Sequence, residues 1–461
     1  MSRYSEFIGR LAATDNACGF EVSETNPNMF DWQADIVRYA CKYGRFGGYE
    51  ACGLGKTLQQ LECAHQIRQH ADGKVLILAP LAVAQQTKRE AYKFDIGTDV
   101  TVCKSADDVR PGINVANYER LHLFDASDFV AVILDEGSIL KSVDGKTKSH
   151  LLGNYAGVPY RQSWTATPSP NDVMEFGNQA AFLGVMSREE MLATYFVHDS
   201  GETQKWRLKG HAREAFWEWM ASWSVVIQSP ADLGYDAGGY DLPPLVYHEH
   251  IIESAPQSGL LFPVDASTLA ERRAAKKATI AERIQRAADL ANESDERWVI
   301  WCNLNDEGTA LAKAIPDAVE VAGRHSMDEK EDRLSHFVEG DIRVLITKPK
   351  IGGFGLNMQH CHNTVIFPTD SFEAWYQQIR RFWRFGQTEA VNVHLIASER
   401  EGAIVANLKR KEAAAQAMFD ALVGHMRAKS TANIHSTTRD VLDYTPTQEM
   451  EVPEWMMQHC V

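Results

Sequence analysis

The run Tyr49-Glu50-Ala51-Cys52-Gly53-Leu54-Gly55-Lys56-Thr57 constrains this chain more than any other stretch. An apolar segment leads into it, and Thr57-Leu58-Gln59-Gln60-Leu61-Glu62-Cys63-Ala64 reads as the helix that follows, so the order is strand, glycine turn, helix. The first backbone N–H groups of such a helix have no intrahelical partner and point outward, which makes the turn a seat for an anionic phosphate. Gly53, Leu54 and Gly55 would form the loop, Lys56 would reach the outer phosphates, and the Thr57 hydroxyl would bind Mg²⁺. The usual pattern, G-x-x-x-x-G-K-[ST], opens on glycine; here that position is Glu50. The bland alternative is a glycine turn before a helix that carries an exposed lysine.

A chain of 461 residues predicts two or three domains, each with its own core. Its 44% hydrophobic and 24% charged residues are those of a globular protein. Met1-Ser2-Arg3-Tyr4-Ser5-Glu6 lacks the apolar core of a signal peptide, and no run approaches the roughly 18 apolar residues that span a bilayer. A cytoplasmic protein with no membrane partner is expected. The eight cysteines show no C-x-x-C spacing, which argues against a disulfide framework or a zinc site. His360-Cys361-His362 comes nearest to a metal cluster, but successive side chains diverge, so a structural role is expected there. A net charge of −15 argues against indiscriminate coating of polyanions while leaving room for a basic groove.

Short runs of strand length follow the loop: Val75–Ala79, Val100–Cys103, Gly112–Ala116 and Phe129–Leu134. Their β-branched, continuously apolar character suits strands buried on both faces of a parallel sheet, so a doubly wound α/β lobe is predicted. A second such series runs through Trp298–Cys302, Ala318–Val321, Ile342–Ile346, Thr364–Phe367 and Val391–Ile396. Between them, residues 186 to 242 break the rhythm with an aromatic-rich insertion read as helical, and Asp241-Leu242-Pro243-Pro244 marks the boundary. The expected division is 1–242, 243–430, and a partly disordered tail over 431–461. The helix from Glu399 to about Lys429 is expected to pack on the second lobe.

Ligands of such sheets sit at the carboxyl ends of the strands. Leu134-Asp135-Glu136-Gly137-Ser138 lies at one of them: Asp135 suits the Mg²⁺ that Thr57 also holds, and Glu136 suits orienting or deprotonating a water. Thr165 and Thr167, at another, are placed to relay between the nucleotide and a second site. Gln33, in Met29-Phe30-Asp31-Trp32-Gln33, either bonds an adenine edge with Phe30 or Trp32 packed on the base, or simply starts a helix. Phe216, Trp219, Met220 and Trp223 share a helical face; this is core or, with Arg207, Lys209, His211 and Arg213, a surface that stacks bases. Arg272, Arg273, Lys276 and Lys277 form a solvated face or a phosphate contact. Arg381 and Arg384 share one face of an aromatic-rich helix, and paired guanidinium groups suit the charge on a transferring phosphoryl group. Taken alone they would be an arginine-rich surface helix.

With these segments in order over about residues 29 to 410, the chain resembles the superfamily-two helicase ATPases of the Swi/Snf-like branch, and more narrowly the compact phage-encoded DEAD/DEAH-type helicases. The resemblance matches Phe30–Gln33 to the adenine-side motif, Gly53–Thr57 to motif I, and Ala79-Pro80-Leu81 through Thr87 to motif Ia. It matches Ala116-Asn117-Tyr118-Glu119 to a strand-contacting motif, Asp135–Ser138 to the DEAH position and Thr165-Ala166-Thr167-Pro168 to motif III. Gly352-Gly353-Phe354-Gly355-Leu356-Asn357 resembles motif V, and Gln377 through Gln387 motif VI, with Arg381 and Arg384 as arginine fingers. An acidic residue at the Glu50 position is common in that branch. Ser138 for His, Ala166 for Gly and Lys348-Pro349-Lys350-Ile351 before motif V depart from the pattern.

The resemblance implies two RecA-like lobes, ATP and Mg²⁺ as cofactors, and ATP-driven movement on single- or double-stranded DNA, with RNA as the alternative substrate and a non-catalytic scaffold as a third reading. It implies nucleotide contacts from Gln33 and Gly353, and nucleic-acid contacts from Pro80, Asn117, Tyr118, Thr165, Thr167, Arg207 and Lys350. A monomer is expected, in the host cytoplasm if phage-encoded, with replication or recombination proteins as further partners.

Overall fold

The computed structural model describes residues 18–435 apart from 81–82, 142–144, 169–172, 200–201, 239, 241, 254–277, 353–355 and 370. Two parallel sheets dominate it. In the first lobe the chain runs through β1 (Arg45–Glu50), β2 (Val75–Ala79), β3 (Val100–Val102), β4 (Ile113–Asn117), β5 (Ala131–Asp135) and β6 (Tyr160–Thr165). It then makes an antiparallel hairpin of β7 (Phe196–Asp199) and β8 (Glu202–Leu208) and returns to the sheet as β9 (Ser224–Ile227). The spatial order is β3-β4-β2-β5-β6-β1-β9, every pair parallel. Val75–Ala79 is buried at all five positions, because helices cover both faces and neither offers a place for a polar side chain.

The second lobe carries β10 (Leu245–Ile252), β11 (Trp298–Trp301), β12 (Ala318–Val321), β13 (Val344–Thr347), β14 (Asn363–Ile366) and β15 (Val391–Ser398), in the order β10-β15-β14-β11-β13-β12 and again all parallel. Apolar clusters lie on both sides of each sheet. The molecule is thus two RecA-like α/β lobes, as expected.

Three features differ from the sequence reading. Residues 224–227, inside the stretch read as a helical insertion, are an edge strand that pairs with β1. The rest of that stretch includes the helix Arg188–Tyr195, the β7–β8 hairpin and the helix Arg213–Ala221; of the aromatic face, Phe216, Met220 and Trp223 are buried and Trp219 packs half-buried against the same cluster, so this face is core. The last helix, Gly402–His435, runs five residues into the stretch from 431 assigned to the tail and packs on the second lobe over its first half only. Ile404, Val405 and Leu408 join the second core, while Leu422, Val423 and Met426 join the first. Gln228 donates to Asp420 at 2.6 Å, and Arg427 donates to the Ala231 carbonyl at 2.7 Å. The remaining tail, Leu81, Gly353 and the 272–277 basic cluster lie outside the described residues.

No helix among the described residues is long and apolar enough to cross a membrane. His360 packs on Phe337, the Cys361 thiol donates to backbone carbonyls, and His362 pairs with Glu296, so the three side chains do diverge.

Candidate nucleotide site between the lobes

The strand order places β5, β6 and β1 side by side, so their carboxyl ends bring Asp135-Glu136, Thr165 and the phosphate loop to one corner. Gly55 is the N-cap of the helix Lys56–Ala71 at φ +79°, and Gly53 lies at φ +92°; both are left-handed conformations that favour glycine. A side chain on either would also collide. A Cβ at Gly55 would lie 2.5 Å from Gln33 Nε2, and one at Gly53 would lie 2.4 Å from the Phe385 backbone nitrogen of the opposite lobe.

Lys56 Nζ donates to the carbonyls of Glu50 and Ala51, both at 2.9 Å, so the ammonium spans the loop from inside. Glu50 is fully buried beneath it. Gln59 donates to its Oε2 at 2.9 Å, while Oε1 has no partner among the described residues. Burial pushes this carboxyl up to about 7 against the opposing pull of Lys56 and the Gln59 bond.

Gln60, one turn beyond Thr57 on the same helix face, donates to Asp135 Oδ1 at 2.9 Å and so ties the end of β5 to the loop helix. Burial raises Asp135 to about 6, with Lys56 and Arg381 acting in the opposite direction. Thr57 is half-buried at the start of that helix. A hydroxyl and a carboxylate whose proton a divalent cation would expel are the hard oxygen donors that Mg²⁺ takes, so these two residues fit the ion.

Glu136 stands at φ +60°, a strained setting for a non-glycine residue that costs on the order of 1–3 kcal/mol. The turn is held from several sides. Thr165 Oγ1 donates to Glu136 Oε1 at 2.6 Å and Ser138 Oγ donates to the same oxygen at 3.0 Å. Gln179 Nε2 bonds the Gly137 carbonyl at 2.9 Å, and Thr165 Oγ1 accepts the Thr167 N–H at 3.0 Å. Ser138, standing where the resemblance expects histidine, therefore braces the carboxylate.

Across the cleft, Arg381 is 4% exposed and hydrogen-bonded to the Leu356 carbonyl and to Gln377, both in its own lobe. Burial lowers its pKa, while Cys52, Glu136 and Asp135 of the first lobe raise it, which sets the guanidinium opposite the loop and the carboxylates. The aromatic-rich helix ends at Arg380, so the two arginines do not share a helix face as expected; Arg384 is half-buried, with its Nε shielded from solvent and unpartnered among the described residues.

The remaining sequence-derived residues fall in three settings. Gln33 is buried: its amide donates to the Leu54 carbonyl at 2.9 Å and accepts the Phe30 N–H at 3.1 Å, so it braces the loop. Tyr118 is buried as well, and its hydroxyl donates to the Asp135 carbonyl at 2.8 Å. Asn117, at the end of β4, meets Glu331 of the second lobe at 3.0 Å. Thr167 has a buried hydroxyl without a partner among the described residues, and Pro80 is half-buried at the end of β2. Lys350 and Arg207 are exposed, on the helix Pro349–Gly352 and on β8.

Sequence reasoning missed two groups. Tyr240 stacks on Phe385 at 4.4 Å and accepts a hydrogen bond from Trp32 Nε1 at 3.3 Å. An acidic helix of the second lobe, Met327–Glu339, docks on the carboxyl ends of β3 and β4: Asp328 pairs with Lys104, and Glu331 meets Asn117. Its Glu339 pairs with Arg89 at 2.7 Å. The acidic run 328–332 was visible, but nothing local to it names its partners.

No family model matches the chain. The p41 protein of Acyrthosiphon pisum secondary endosymbiont phage 1 is 23% identical over 468 residues, covering 86% of this chain and 98% of that protein. Among solved structures, the Sulfolobus solfataricus SWI2/SNF2 ATPase core in complex with dsDNA covers 90% of this chain and 99% of that one, at 16% identity and a TM-score of 0.42. Neither likeness assigns this chain an activity.

Proposed function

We propose that the protein is a nucleic-acid-stimulated ATPase that moves on DNA by closing and opening its two lobes. The observation that carries this reading is the meeting of three groups in one cleft. Lys56 and its loop sit on one lobe, Glu136 is held by two hydroxyls beside Asp135, and Arg381 faces them from the other lobe.

On this reading the phosphates of ATP rest on the N–H groups that open the helix Lys56–Ala71, and Lys56 turns from the Glu50 and Ala51 carbonyls toward them. Mg²⁺, held by Thr57 and Asp135, would neutralise phosphate charge. Glu136 has Oε1 fixed by Thr165 and Ser138, which leaves Oε2 to orient the attacking water and take its proton. Arg381 and Arg384 meet the charge that develops on the transferring phosphoryl group only while the lobes are together, so hydrolysis is tied to closure. Nucleic acid lying across both lobes would be held through its phosphates without sequence reading, near Pro80, Asn117 and Lys350.

The test is ATP turnover without nucleic acid and with single-stranded DNA, duplex DNA or RNA, at one low salt concentration because phosphate contacts are salt-sensitive. Stimulation by DNA that is abolished in Lys56→Ala is the expected result. Stimulation by RNA alone would replace DNA as the substrate, and absence of turnover under all four conditions would leave a binding scaffold.

A further inference from the structure

The aromatic pair that closes the loop side of the cleft carries a further assignment, which rests on the nucleotide reading above. Tyr240 is about two hundred residues from the segment preceding the phosphate loop, yet that segment orients it. Trp32 and Phe30 meet its ring edge-on at 6.0 and 6.2 Å, and Trp32 Nε1 donates to its hydroxyl. Leu54, whose carbonyl is bonded by Gln33, and Tyr240 both line a cavity of about 590 Å³ between the lobes, together with Ala51, Trp383 and Phe385. A volume of this size with mainly apolar walls suits a small organic ligand. Phe30, in edge-on contact with Tyr240, is 53% exposed.

One face of Tyr240 is taken by Phe385 of the second lobe, at 4.4 Å with the ring planes 19° apart. Centroids of a single aromatic pair lie about 4.5–7 Å apart. The gap therefore holds one stacking contact, and no base fits between the two rings. Phe385 also sets its backbone on Gly53, so the segment that carries its ring is seated on the loop of the first lobe.

We propose that Tyr240 is the residue on which the base of the nucleotide stacks, and that Phe385 occupies the same ring face in competition with it. Entry of the base then replaces a lobe-to-lobe contact with a lobe-to-ligand contact. The base, and not only the triphosphate, acts on the position of the second lobe.

Equilibrium binding to the full chain tests this, with ATP as one probe and inorganic tripolyphosphate, which has no base, as the other. Tyr240→Ala should weaken ATP binding several-fold, by one base–aromatic stack less the Phe385 contact that the base displaces, and leave tripolyphosphate binding unchanged. Tyr240→Phe keeps the ring and should bind ATP within about twofold of the parent, a readout that a folding defect would not give. Phe385→Ala removes the competitor and should tighten ATP binding several-fold, again with no effect on tripolyphosphate. Equal losses for both probes in Tyr240→Ala, or ATP binding indifferent to both substitutions, would overturn the assignment while leaving the phosphate site intact. A parent protein that binds neither probe would remove the nucleotide reading and this assignment with it.

Discussion

Replacing Glu50 by Gln should stabilise the first lobe, and by an amount that depends on pH in a defined way. The carboxyl is fully buried under the phosphate loop and its pKa rises from the ordinary 4.5 to about 7. A raised carboxyl binds more protons in the folded than in the unfolded chain between those two values. Its contribution is thus fully present below pH 4.5 and is lost as pH climbs through 7. Once ionised, the buried group costs about 3 kcal/mol. Glutamine fills the same space without a charge, so the gain from Glu50→Gln should grow from under about 1 kcal/mol at pH 5 to about 3 kcal/mol at pH 8. In urea this is a midpoint shift on the order of 1 M at the higher pH. Because two lobes need not unfold together, thiol labelling in urea, resolved by mass spectrometry, is the suitable assay. Cys63, fully buried in the first core, reports the first lobe, and Cys361, buried in the second, is the internal control. Parallel urea midpoints for parent and variant from pH 5 to 8 at Cys63 would refute the buried-charge argument. An equal shift at Cys361 would refute its localisation.

Three further outcomes are expected. Thr165→Val removes the donor to Glu136 Oε1 and the acceptor of the Thr167 N–H; turnover should fall about 10- to 100-fold with ATP affinity nearly unchanged, as steady-state kinetics beside equilibrium binding would show. Glu307→Ala removes one partner of Arg283, in a pair at most 1% exposed at 3.1 Å, and also removes the acceptor of the Asn303 and Leu304 N–H groups. It should cost the second lobe about 3–5 kcal/mol, read at Cys361. Neutralising Asp328, Glu331 and Glu339 together removes the polar contacts that this helix makes with Lys104, Asn117 and Arg89. Each exposed pair holds at most about 1 kcal/mol, so small-angle scattering should show a larger radius of gyration at low salt, and high salt should bring the parent toward the same value.

The parts of this molecule visible in its sequence are those whose physics is local. Val75–Ala79 and the β5 strand declare themselves because a strand covered on both faces must be apolar at successive positions. The corner formed by Lys56, Asp135 and Thr165 was legible because each residue ends or follows such a strand. Two edge strands were hidden for opposite reasons. Ser224–Ile227 follows a tryptophan-rich run at helical spacing that masks it. Leu245–Ile252 alternates exposed and part-buried positions and carries His248, Glu249 and His250, so no apolar run marks it. Gln33 and Tyr118 were read for a ligand, but burial has turned both inward to the loop and to the Asp135 carbonyl. Tyr240 and the acidic helix had no local signal, since what gives each its setting lies about a hundred residues or more away, in the other lobe or beside the loop.

The helix Gly402–His435 has a mechanical consequence. Thirty-four residues at about 1.5 Å each make a rod of about 50 Å. One end is rooted by Ile404 and Leu408 in the second core and the other by Leu422 and Met426 in the first. Such a rod is a beam clamped at both ends. Small rotations of the lobes bend it and store elastic energy, whereas wide ones must pull buried side chains out of one clamp. If the lobes open and close as proposed, the helix would set an upper stop on the opening angle and return the lobes toward each other below that stop, a spring in parallel with any ligand that draws the cleft shut.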